Sequence, residues 1–129
     1  MARILVIDDS EVTRTTAMAL LREGGHLTWQ HASPLGATRM LFEKKISLVV
    51  LDMNMPAMSG ERFAELLRSN PRLAHVRVVL ITGADAETLS EAGARISADA
   101  MIRKENLTRE LLPTINRLTQ FDEAESHIA

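Results

Sequence analysis

Four places in the chain carry residues that could do chemistry together: the adjacent carboxylates Asp8 and Asp9, the carboxylate Asp52, the hydroxyl of Thr82 and the ammonium of Lys104. Asp52 closes the apolar run Leu48-Val49-Val50-Leu51, and Pro56 and Gly60 break the chain beyond it. Asp8 and Asp9 close Ile4-Leu5-Val6-Ile7, Thr82 closes Val78-Val79-Leu80-Ile81, and Lys104 follows Ala100-Met101-Ile102. Two carboxylates about 4 Å apart near a surface repel by roughly 4 kcal/mol. Three of them would not stay ionised together without a partner; they could share protons, or they could hold a divalent cation. Aspartate oxygens, a backbone carbonyl and waters suit Mg²⁺, with Asp8, Asp9, Asp52 and the carbonyl of Asn54 as the candidate ligands. A carboxylate beside such an ion can serve as a nucleophile and form an acyl phosphate. Thr82 then offers a hydroxyl to one phosphoryl oxygen, and Lys104 a flexible point charge to another. Backbone amides near Met53 and Gly83 could add donors. The phosphoryl group brings about −1.5 to −2 of charge and would draw Thr82 toward the third strand, biasing the loop that follows Thr82.

These side chains need a frame that gathers them. Short apolar runs bounded by turn residues read as buried strands at 3–7, 46–51, 76–81 and 100–102, with a weaker outer strand at 27–31. Helical patterns fill the gaps. The first is expected over 11–22, with Val12, Thr16, Ala19 and Leu20 on its period and Gly24-Gly25 stopping it. The second opens at Ser33-Pro34, with Ser33 as cap, and turns Ala37, Met40 and Leu41 inward. The third starts near Gly60 with Phe63, Leu66 and Leu67 inward. The fourth spans 86–94, anchored by Leu89 and Ala92. The fifth carries Leu107, Leu111, Ile115 and Leu118. Five strands alternating with five helices imply an α/β fold: a flavodoxin-like, doubly wound parallel sheet in the order 2-1-3-4-5. Every strand then ends on the same edge, and the acidic residues flank the switch point between strands one and three.

The bulk numbers agree with one globular domain. The chain has 129 residues, 46 % hydrophobic and 25 % charged, enough for one core. Net charge is −2, from 15 basic and 17 acidic residues, which gives no basic patch for nucleic acid or an anionic membrane. There is no cysteine, which removes disulfides, thiolate zinc sites and cysteine nucleophiles. No apolar stretch approaches the ~20 residues that span a bilayer. Residues 1–120 read as the domain and 121–129 as a short acidic tail, frayed from Gln120 on.

The ordered set of Asp8-Asp9, Asp52, Pro56, Gly60, Thr82 and Lys104 resembles a receiver domain of bacterial two-component response regulators, of the single-domain, chemotaxis-regulator-like kind, over nearly the whole chain. The resemblance implies Asp52 as phosphoacceptor, Asp8 and Asp9 as the metal-binding acids, Thr82 as the switch hydroxyl and Lys104 as the phosphoryl-binding lysine. It implies Mg²⁺ or Mn²⁺ as cofactor and a histidine kinase or histidine phosphotransfer protein as donor. The output would be a phosphorylation-dependent contact with a downstream protein through the helix 4–strand 5–helix 5 face, in the cytoplasm and without direct contact to nucleic acid or membrane. The domain would be a switch rather than an enzyme, beyond catalysing its own phosphorylation and dephosphorylation.

Three positions depart from the family pattern. Glu105 follows Lys104 where proline is usual. A non-proline cis bond costs about 2.5–4 kcal/mol, so a trans bond is expected, with Glu105 placed to compete for the lysine. Met101 occupies the position of the aromatic switch residue, and a flexible thioether couples less specifically. Gly83 stands where alanine is common. Met101 and Glu105 motivate a second reading, a receiver-like protein-binding module that works without phosphorylation. A third, an aspartate-nucleophile phosphatase, requires an acid two residues after the nucleophile, and that position is Asn54.

Other conspicuous residues have plainer readings. Met53, Met55 and Met58 either fill gaps around the third helix or form an adaptable docking rim. His26, His31, His75 and His127 lack metal spacing and read as surface or hydrogen-bonded core residues. Trp29 reads as packing on the second strand.

Overall fold

The structure, a computed structural model, describes residues 1–128; the side chains of Ala86 and of residues 121–128 lie outside the described set, and with them the expected acidic tail at 121–129. The elements are β1 (Arg3–Ile7), α1 (Glu11–Glu23), β2 (Leu27–His31), α2 (Ala37–Glu43), β3 (Leu48–Asp52), α3 (Gly60–Ser69), β4 (Arg77–Thr82), α4 (Ala86–Ile96), β5 (Ala100–Arg103) and α5 (Leu107–Ile128), with a 3-10 turn at Lys104–Asn106. All strand pairs are parallel, and the order is β2-β1-β3-β4-β5, as expected.

Each central strand holds a continuous apolar run of four residues because both faces are covered. Leu5, Ile7, Val49, Leu51, Val78 and Leu80 point to one side, where Phe63 and Leu67 of α3 and Leu89 of α4 meet them. Ile4, Val6, Leu48, Val50, Val79 and Ile81 alternate to the other side, against Leu21 of α1 and Leu111 and Ile115 of α5. Successive side chains on a strand face opposite ways, so each run feeds two cores.

The helices correct several sequence expectations. The buried face of α1 is Ala17, Met18 and Leu21, whereas Val12 is 76 % exposed and Ala19 faces outward. Leu66 of α3 is likewise exposed rather than inward. The second helix begins at Ala37, not at Ser33-Pro34. Ser33 Oγ accepts from the Leu35 amide at 3.1 Å, and the Ser33 carbonyl accepts from His31 Nδ1 at 2.6 Å. Ser33 thus closes a local turn and caps no helix; Gly36, at φ 82°, makes the entry instead. The remaining caps follow simple chemistry. Ser10 Oγ accepts from Thr13, Ser59 from Arg62 and Asp85 from Thr88, each relieving an orphan amide of the first turn.

His26 is a core histidine with both ring nitrogens used. Its Nδ1 accepts from the Ala2 amide at 3.0 Å, which leaves Nε2–H to donate to Asn116 Oδ1 at 2.9 Å. It ties the start of the chain to α5. His26→Leu is expected to cost about 2 kcal/mol, because the buried Ala2 amide loses its acceptor; a lowered urea midpoint at unchanged slope would show it.

Candidate functional site

The register carries every reactive group to one edge. Asp8 follows the last residue of β1, Asp52 is the last residue of β3, Thr82 the last of β4, and Lys104 follows β5. Ile7 pairs with Leu51, Asp52 with Ile81 and Thr82 with Arg103, so the four strand ends are level.

Asp8 is completely buried and Asp52 is 2 % exposed, whereas Asp9 faces solvent. One carboxylate oxygen from each of Asp8, Asp9 and Asp52 lies within 4.8 Å of the others. The Ser10 amide donates to Asp8 Oδ1 at 2.8 Å, and the Asn54 amide donates to Asp52 Oδ1 at 3.3 Å. Lys104 Nζ lies 3.0 Å from Asp8 Oδ2 and 3.5 Å from Asp52 Oδ2. Asp8 Oδ2 nevertheless has no aligned hydrogen-bond donor although it is buried; the lysine faces it as a charge. Burial first, and the Asp8 charge second, push the Asp52 carboxyl up to about 6, against the opposing pull of the Asn54 amide and Lys104. Burial alone would lower the pKa of Lys104, but the Asp8 and Asp52 carboxylates outweigh it and hold it above the usual lysine value.

A cluster of three carboxylates, two of them buried, in which one buried oxygen has no hydrogen-bond donor and is met only by the lysine charge, matches what a hard divalent cation requires. The donor set therefore fits the Mg²⁺ or Mn²⁺ expected from the sequence.

Thr82 is buried, and its Oγ1 accepts from the Ala84 amide at 3.1 Å and from Asn54 Nδ2 at 3.3 Å. Met101, half-exposed, lies over α4 at Gly93, where a methyl group would fall 1.8 Å from its Sδ. It shares a groove with Leu89, Arg103 and Glu110. Glu105 does not compete for Lys104: its Oε1 pairs with Arg103 at 2.7 Å. The Lys104–Glu105 bond is trans, like every described peptide bond. Met53 and Met55 are buried in the core with Met58 packed against it, so they are gap-fillers and not an exposed rim. Trp29 packs on the same core, with the Arg3 guanidinium 4.9 Å over its ring.

Sequence reasoning missed three supports. Arg14 Nη1 donates to the Asp8 carbonyl at 2.7 Å and its Nε to Gln30 Oε1 at 3.0 Å, fixing the acidic turn. The Asn54 side chain reaches Thr82. Gly60 opens α3 directly against β3: a Cβ there would stand 2.0 Å from the Asp52 carbonyl oxygen. A poor helix former at the start of a helix was the available signal for that close approach.

Residues 4–116 match the response regulator receiver domain family. The chain belongs to this family. Among curated relatives, this receiver domain is 32 % identical over 108 residues to the aerobic respiration control protein ArcA of Escherichia coli, covering 84 % of this chain and 44 % of that protein. It thus spans less than half of ArcA. It is 28 % identical to Protein PilH of Pseudomonas aeruginosa, covering 90 % of this chain and 96 % of PilH. It is 36 % identical over 92 residues to the chemotaxis protein CheY-3 of Vibrio cholerae, covering 70 % and 71 % of the two chains. The fold matches that of Vibrio cholerae CheY4, with TM-score 0.82 at 23 % identity over 91 % of this chain and 98 % of that one. The Mn²⁺-bound form of the response regulator Rcp1 matches with TM-score 0.73 at 20 % identity, over 94 % of each chain. Receiver domains are switches of two-component signalling that take phosphoryl groups from histidine kinases and act on downstream proteins. No described helix is long and apolar enough to cross a membrane.

Proposed function

We propose that this receiver domain is a phosphorylation-dependent switch with Asp52 as the phosphoacceptor. The observation that carries the reading is a buried carboxylate at a strand end, flanked by a second buried carboxylate and a lysine 3.5 Å away. Asp8, Asp9 and Asp52, with the Asn54 carbonyl, would hold Mg²⁺ or Mn²⁺, which supplies charge neutralisation and orients a phosphoryl donor. An Asp52 oxygen attacks phosphorus, the bond from phosphorus to the donor nitrogen breaks, and the electron pair leaves with the donor imidazole. The donor is a histidine kinase or a histidine phosphotransfer protein acting in the cytoplasm. Lys104 is already within reach of the Asp52 oxygen and follows the new negative charge. Thr82 turns its hydroxyl toward the phosphoryl group, and the loop between β4 and α4 moves with it. The change is passed to a protein partner over α4, β5 and α5, where Met101 stands half-exposed.

Intact mass after incubation with acetyl phosphate tests the chemistry. One phosphoryl group is expected in the wild type with Mg²⁺, and none with EDTA or in Asp52→Asn. Should neither acetyl phosphate nor a histidine-phosphorylated donor protein modify Asp52, the reading fails. Partner binding that is unchanged in Asp52→Ala would then identify a phosphorylation-independent module.

A further inference from the structure

We infer that the side-chain amide of Asn54 is a latch that holds the Thr82 hydroxyl in its resting arrangement. The inference rests on the reading of Thr82 as the switch hydroxyl. A threonine hydroxyl can accept two hydrogen bonds and donate one. Both accepting positions of Thr82 Oγ1 are filled, by the Ala84 amide and by Asn54 Nδ2. The Ala84 bond is local, a turn of the kind threonine makes with the amide two residues on, and it travels with the loop. The Asn54 bond spans 28 residues and ties the end of β4 to the segment that follows β3.

The same residue also touches the nucleophile, because its backbone amide donates to Asp52 Oδ1 at 3.3 Å. Asn54 is thus connected to the carboxylate by its main chain and to the hydroxyl by its side chain. It stands exposed at the rim, whereas Thr82 is wholly buried. A bond of 3.3 Å from an exposed amide is long and easily exchanged. A phosphoryl group on Asp52 places charged acceptor oxygens two residues before Asn54, and such acceptors outcompete a neutral hydroxyl. The Asn54 amide then changes acceptor. Thr82 loses its only described donor from outside its own loop, and its hydroxyl is released to rotate. Asn54 is in this sense a positioning residue that acts through Thr82.

The test uses the unphosphorylated, metal-free protein and ¹⁵N relaxation dispersion at Thr82, Gly83 and Ala84. Asn54→Ala is expected to raise the population of the alternative loop state about twofold, the factor set by a hydrogen bond at the weak end of the usual range. Because residue 54 is exposed, the variant keeps its fold. In a Thr82→Val background, which has no hydroxyl to hold, Asn54→Ala is expected to add nothing. An unchanged loop in Asn54→Ala, or an equal change with and without the hydroxyl, overturns the latch. Neither result depends on phosphorylation, so the latch can fail while Asp52 still takes a phosphoryl group, and the reverse.

Discussion

Asp52→Asn is expected to make the metal-free protein more stable at neutral pH. The Asp52 carboxyl is raised to about 6 from an ordinary value of 3.8, first by burial and then by the Asp8 charge. The folded state therefore holds a proton that the unfolded chain has released. The stability linked to that proton is complete below about pH 4 and is lost as pH rises through about 6. At pH 7 the wild type keeps an ionised, buried carboxylate beside another. Asparagine keeps the shape and the acceptor for the Asn54 amide but carries no charge. A gain of about 2 kcal/mol at neutral pH follows, after allowing for residual solvation of the site. Urea titrations in EDTA at acid and neutral pH would show it. The wild-type midpoint should fall between the two conditions, and the variant should lack that part of the change. Added Mg²⁺ should raise the wild-type midpoint by mass action and leave the variant much less affected. Equal midpoints for the two proteins at neutral pH would mean that Lys104 fully offsets the burial of Asp52.

Gly60→Ala is the second large effect, and it is steric. A Cβ at this position would lie 2.0 Å from the Asp52 carbonyl oxygen and 3.1 Å from the Met53 Cα. Both are backbone atoms, so no side chain can swing away. The Gly60 amide also donates to the Met53 carbonyl at 2.9 Å, which fixes α3 against the end of β3. Relief requires the helix to lift from the strand that ends in Asp52. A loss of about 3 kcal/mol is expected, at the upper end for overpacking. Gly83→Ala serves as the control. Nothing lies within 4 Å of a Cβ there, and the change should be within about 0.5 kcal/mol. Denaturant titration of both variants, with Mg²⁺ affinity read from the same samples, separates the site from the scaffold: Gly60→Ala should weaken both, Gly83→Ala neither.

The strand order and the meeting of Asp8, Asp9, Asp52 and Lys104 were legible because four of the five strands are short apolar runs closed by a candidate site residue. A parallel sheet with right-handed crossovers leaves such ends only one edge to occupy. Helix faces were harder. Residues 17–21 of α1, Ala-Met-Ala-Leu-Leu, wrap more than a full turn, so periodicity alone does not choose between Ala17 and Ala19. Packing against α5 and the sheet chooses Ala17, Met18 and Leu21. Ser33-Pro34 carries a sound start signal, but the Ser33 hydroxyl is spent on its own loop. The Asn54 contact with Thr82 depends on β3 and β4 being neighbours, and no local pattern announces it. The Glu105 pairing was misjudged because Arg103, two residues earlier, is the nearer cation in the fold.

The placement of the site on four strand ends has a consequence for how the chain matures. Residues 8 and 104 come from distant parts of the sequence, and the lysine follows a four-residue strand that pairs only with β4. A nascent chain that has emerged only as far as β4 owns the acids without their counter-cation. Local opening of that outermost strand recreates the same situation in the finished protein, stripping the ammonium from Asp8 and Asp52 together. The complete constellation thus exists only once the last strand has docked.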